Sequence, residues 1–139
     1  MQLPLKASFA LATMLLTTAM FTGIATPAMA SAQTTNANVA TNVAANVASG
    51  AALYASNCAS CHMANGAGGK KFGSAISANL RAPGLEKTYH NSDALILRAI
   101  MNDRDEDGET LDKPMLAWKG ILTNAQGKDI IAYLRTLHS

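Results

Sequence analysis

The chain has 139 residues, 49% hydrophobic, 5% aromatic and 14% charged, with a formal net charge of +2 and a mean hydropathy of +0.10. These values exclude a disordered chain, a collagen-like repeat and a strongly basic nucleic-acid binder, and the length is too short for two ordinary domains. The apolar excess sits at the start. Lys6 is positive, residues 7–24 are almost unbroken Ala, Leu, Phe, Met and Thr, and Ala28-Met29-Ala30 follows Pro27 as an A-x-A box. This pattern predicts a secretory leader over residues 1–30, cleaved after Ala30, and so a periplasmic protein with no stable membrane insertion. The rival is an uncleaved anchor, because residues 7–25 approach the roughly 20 apolar residues that a span needs. Thr13, Thr17, Thr18, Thr22 and Gly23 dilute that run.

Residues 31–49 hold Ala, Asn, Thr and Val with no charge, and Asn-Val-Ala recurs at 38–40, 42–44 and 46–48. A period of four is too short for a solenoid unit. Low complexity without aromatic side chains buries too little surface to offset chain entropy, so a flexible tether is expected here. Alanine permits a helix in this stretch, but one without a partner. The folded domain is expected over residues 50–139, opening with a short helix at 50–57 whose large apolar groups are Leu53 and Tyr54.

Next comes Cys58-Ala59-Ser60-Cys61-His62, a C-x-x-C-H run. Two thiols two residues apart reach the two vinyl groups on one edge of a porphyrin and form thioethers, and the next residue offers an imidazole to the iron. Other uses of the same residues fit less well. A redox dithiol belongs in a βαβ setting that is absent here. A structural zinc site needs four ligands, and the chain has only two cysteines. A plain disulfide gives no reason for His62.

From about residue 49 to 139 the chain resembles a class I c-type cytochrome of the small bacterial kind. The resemblance rests on G-x-x-L-Y-x-x-x-C-A-S-C-H at 50–62, N-G-A-G-G at 65–69, D-x-D-G at 105–108, P-M-L-A-W at 114–118 and D-I-I-A-Y-L-R-T-L at 129–137. Met63 stands where the family often has Gly, and Leu116 where it often has Pro. The resemblance implies an all-α fold of short helices wrapped around one covalently attached haem c, with no other metal. It also implies that the first and last helices cross at a glycine, here Gly50 or Ala51, with Tyr54 meeting Tyr133 and Leu134. The carbonyl that holds the second ring nitrogen of His62 is left open between Pro83 and Ala78.

A six-coordinate iron needs a ligand opposite His62. Four of the seven methionines leave with the leader, and Met63, Met101 and Met115 remain. Met63 adjoins His62 and cannot reach the far face. Met101 falls at helical spacing from Leu97 and is expected in the core. Met115 lies in the irregular loop where the resemblance places the distal methionine. His90 and His138 are the rivals. Trp118 is expected to pack on the haem edge near Met115.

The middle helix is expected over about 92–101 with Asn91 or Ser92 as N-cap, and Thr123 with Gln126 forms a T-x-x-Q capping box for the last helix. Ile130, Tyr133, Leu134 and Leu137 make one stripe on that helix. No segment alternates as a strand. The run from Asp103 to Gly108 matches half of an EF-hand loop, but its twelfth position is Pro114, so it reads as a solvated acidic turn. Once Lys6 is gone, ten of the eleven basic residues remain against nine acidic ones. Lys70, Lys71, Lys113 and Lys119 are placed by sequence to surround an exposed haem edge and meet an acidic redox protein, or else are scattered surface lysines. No nucleic-acid partner is expected.

The function expected is that of a non-enzymatic, one-electron carrier between redox proteins, with His/Met ligation. The alternatives are an electron-transfer subunit of a dehydrogenase or oxidase complex, and an open-haem protein that binds ligands or acts on peroxide.

Overall fold

The computed structural model describes residues 30–139; the leader and its cleavage site lie outside the described residues. The first element among the described residues is a long helix, α1 (Ala30–Asn57), followed by one turn of helix, α2 (Ala59–His62). A two-residue ladder pairs β1 (Lys71–Phe72) with β2 (Ala75–Ile76). Then come α3 (Gly84–Thr88), α4 (Asp93–Asn102) and α5 (Asn124–Leu134).

The helix α1 extends through the segment in which a tether is expected. Alanine has the highest intrinsic helix propensity, and the stretch contains no proline, so the helix continues outward from its anchored end. Residues 35–46 of it are exposed on every side, whereas Gly50 and Tyr54 are buried. The hairpin is also unanticipated, because two residues a side are too few for alternation to show. Gly73, with φ +64°, makes its tight turn between Phe72 and Ala75.

The crossing of α1 and α5 is the main packing event. A Cβ placed on Gly50 would lie 1.9 Å from the carbonyl oxygen of Asp129 and 3.0 Å from Cβ of Tyr133. Only glycine permits that approach. Ser49 Oγ donates to Asp129 Oδ2 at 2.8 Å, and the rings of Tyr54 and Tyr133 meet in a tilted pair with centroids 5.3 Å apart.

Both longer C-terminal helices start as expected. Ser92 Oγ accepts from the Leu95 amide. At the head of α5, Thr123 Oγ1 accepts from the Gln126 amide while the Thr123 amide donates to Gln126 Oε1, which completes the capping box. The apolar face of α5 buries Ile130, Ile131 and Leu134. Ile131 was not part of the expected stripe, and Leu137 lies beyond the helix end. The chain there turns through i+3 bonds and straps to Ala82, whose amide donates to the Leu137 carbonyl at 2.7 Å. The core joins these residues to Tyr54, Leu85, Tyr89, Ile96, Ile100 and Met101.

Candidate functional site

The short helix α2 sets the spacing of the motif. The amides of Cys61 and His62 both donate to the Cys58 carbonyl, so one tight turn brings Cys58, Cys61 and His62 to the wall of a cavity of about 480 Å³. That size falls within the roughly 300–1,000 Å³ of cofactor pockets. Leu80, Leu85, Ile96, Ile100, Ile130 and Leu134 also line it, so the cavity opens directly into the hydrophobic core.

The imidazole is oriented from behind. His62 Nδ1 lies 2.9 Å from the carbonyl oxygen of Ala78, which settles the acceptor in favour of Ala78 over Pro83. A carbonyl has no proton to give, so Nδ1 carries the hydrogen, and in the neutral ring Nε2 is then the nitrogen with a lone pair for a metal. Gly68 makes this approach possible. Its backbone has φ +65°, and a Cβ there would sit 2.2 Å from the same carbonyl oxygen.

Tyr54 supports the turn from below. It is 1% exposed, and its hydroxyl donates to the Met63 carbonyl at 2.7 Å. Burial, with smaller contributions from Cys58 and Tyr133, pushes its hydroxyl up to about 12, so it stays a donor at any physiological pH. Met63 needs this support because its φ of +67° and ψ of 153° fall in a region that is almost confined to glycine. The apolar spacing on α1 marks Tyr54 as a core residue, but nothing in the sequence reveals where its hydroxyl points.

The thiol chemistry argues against a redox dithiol. Burial, with the neighbouring Cys61 second, pushes the Cys58 thiol up to about 11, whereas a dithiol nucleophile needs a lowered value. The cavity therefore presents a protonated thiol, a second thiol and an imidazole held through its Nδ1 against apolar walls. This donor set and lining fit a flat, largely apolar macrocycle with a central iron.

The structure brings Met115 and Trp118 to the same cavity. Trp118 is partly buried against the core, and its amide donates to the Ile100 carbonyl. Met101 is 5% exposed in the core, and Met63 is exposed at the surface. Neither lines the cavity, and nor do His90 and His138, which are both exposed.

The lysines divide. Lys113 lines the cavity, and Lys70 lies 5.5 Å from the centre of the Phe72 ring, which lines it too. Lys119 borders a separate hollow beside Met101 and Arg98. In the acidic turn, Asp105 Oδ1 accepts from the amides of Asp107 and Glu109. Among the described residues no group of three or more His, Cys, Asp or Glu side chains could hold a metal ion, and no helix is long and apolar enough to cross a membrane.

A C-x-x-C-H turn, an oriented imidazole and an apolar cavity between short helices are the features that a haem-binding electron-transfer fold requires. The cytochrome c family model matches residues 47–138, more than half of the chain, and the chain belongs to that family. It is thus a haem-containing electron-transfer protein, with covalently bound haem c and redox proteins as its partners. No curated protein and no solved structure matches the chain.

Proposed function

We propose that the protein is a periplasmic monohaem cytochrome c that carries one electron at a time between a donor and an acceptor protein, with His62 and Met115 as the axial ligands. The observation that carries the reading is the choice of side chains around the cavity. Of the methionines and histidines in the described residues, His62 and Met115 line it, and the others do not.

Cys58 and Cys61 would hold the group by thioethers, and His62 Nε2 and Met115 Sδ would bind its iron. Bound there, the haem supplies an iron that changes by one electron between ferric and ferrous states. His62 is held by Ala78 in one tautomer, so its nitrogen stays aimed in both oxidation states. Met115 offers a weak thioether donor that favours the ferrous state, which raises the potential relative to a second histidine. Trp118 packs at the edge of the site, and the apolar walls keep water from the centre.

The test is Met115→Ala. The covalent haem should remain, the weak Met–iron absorption band should vanish, and carbon monoxide should bind the reduced protein readily. The potential should fall by on the order of 0.1 V or more, within the roughly 0.8 V that axial ligands span. Met101→Leu should leave all of these unchanged. A band that survives Met115→Ala and is lost in Met101→Leu would transfer the ligand role to Met101.

Export is tested separately by mass spectrometry of the protein recovered from the periplasm. Ser31 should be the first residue. Recovery of a membrane-bound form that begins at Met1 would make the leader an anchor.

A further inference from the structure

The loop that delivers Met115 is fastened at both ends to α4. On the incoming side, the Leu111 amide donates to the Asp103 carbonyl at 3.2 Å, and Arg98 donates to the carbonyls of Asp105 and Glu106. On the outgoing side, the amides of Trp118 and Lys119 donate to the carbonyls of Ile100 and Met101. Between those anchors, residues 112–117 have no backbone hydrogen bond to the rest of the fold; the one such bond within the segment runs from the Met115 amide to the Asp112 carbonyl. A single side chain ties this stretch down. Lys113 Nζ pairs with Asp103 Oδ2 and also lies 3.4 Å from the Met115 carbonyl oxygen, as a donor to it.

Asp103 suits an anchor. It is the one buried charged or polar side chain among the described residues, 6% exposed, and it caps α4 in the left-handed conformation. Its Oδ1 is buried without a hydrogen-bond partner, so the charge of the carboxylate is answered by Lys113. A half-buried pair of this kind couples its partners more tightly than an exposed one, because removing either leaves a poorly solvated charge or an unheld loop.

We propose that the Asp103–Lys113 pair is a latch that holds residues 112–117 against the cavity, which makes Asp103 and Lys113 positioning residues for the distal ligand. The proposal rests on the reading of Met115 as that ligand. The latch sets how often the thioether leaves the iron, and so how open the distal face is to small molecules.

The experiment measures how fast imidazole binds to the oxidised holoprotein, with the Met–iron band recorded for each variant. Lys113→Gln should keep covalent haem and speed imidazole binding at least about tenfold, the shift in an open–closed equilibrium expected when one partner of a half-buried pair is lost. Lys113→Arg should bind at close to the unaltered rate. Asp103→Asn should speed binding as Lys113→Gln does, and the double variant Asp103→Asn/Lys113→Gln should be no faster than the quicker single variant, because both remove one interaction. If Asp103→Asn fails to fold, Lys113→Gln still decides the matter, since the Lys113 side chain is 66% exposed. Arg135→Gln, which breaks the surface pair between Arg135 and Asp93, should leave the rate unchanged. An unaltered rate in Lys113→Gln, or an equal acceleration in Arg135→Gln, overturns the latch while leaving Met115 as ligand. A Met–iron band that survives Met115→Ala overturns the ligand reading and the latch together.

Discussion

Protein carrying Cys58→Ala and Cys61→Ala together should retain no haem after acid–acetone extraction, whereas the unaltered protein should keep all its colour. The two thiols lie on one tight turn at the wall of the cavity, and no other cysteine exists in the chain to replace them. The effect should reach beyond colour. The cavity is lined by Ile96 and Ile100 of α4 and by Ile130 and Leu134 of α5, so the bound group forms part of the core on which these helices close. Small domains need such a staple, and the double variant should show reduced helical content by circular dichroism as well as lost absorbance. Extraction of all the haem from the unaltered protein would remove the covalent reading.

Gly50→Ala should be the most damaging single change away from the haem. The added Cβ would lie 1.9 Å from the Asp129 carbonyl oxygen and 2.5 Å from its carbon, and both are backbone atoms of a packed helix. Neither can rotate away, so the α1–α5 crossing must spread. That would loosen the Tyr54–Tyr133 contact and the hydroxyl bond that Tyr54 makes to the Met63 carbonyl. A loss of at least about 3 kcal/mol is expected, at the upper end for overpacking a close contact. Thermal unfolding followed by circular dichroism should show a midpoint lower by roughly 12 °C or more, at about 4–8 °C per kcal/mol for a domain of this size. An unchanged midpoint would mean that the two helices do not cross at Gly50.

The parts of this protein that show in its sequence are those fixed by local chemistry. On the proposed attachment, Cys58, Cys61 and His62 stand at set intervals because bonds to one flat molecule leave no freedom, and the motif is complete within five residues. Helix starts are equally local. Ser92, and Thr123 with Gln126, satisfy amides within three residues of themselves, so both caps are visible before any tertiary contact is known. Met115 is intermediate. The sequence narrows the methionines to three, but the fold is what brings Met115 to the cavity and packs Met101 into the core.

What stayed hidden depends on groups distant in the chain. The Ala78 carbonyl is reached only after the glycine loop folds back over α2, and Pro83 is as plausible a partner on sequence alone. The Tyr54 hydroxyl bond and the Asp103–Lys113 pair need the positions of two segments at once. An αL aspartate ending a helix has no signature that separates it from the acidic turn that follows. The outward run of α1 failed to show for another reason. Helix propensity and the lack of a packing partner point in opposite directions over residues 31–49, and the alanines prevail. Lys119 stands close to Lys113 in sequence, but its amide donates to the Met101 carbonyl and it borders the hollow beside Arg98, a placement that only the fold reveals.

The reading of the site as a closed, His/Met-ligated haem comes down to one spectrum. The oxidised, unaltered protein should show the weak Met–iron band near the red end of the visible range. An oxidised spectrum without that band would contradict the account, because the iron would then lack its thioether and its second face would be open or held by another residue.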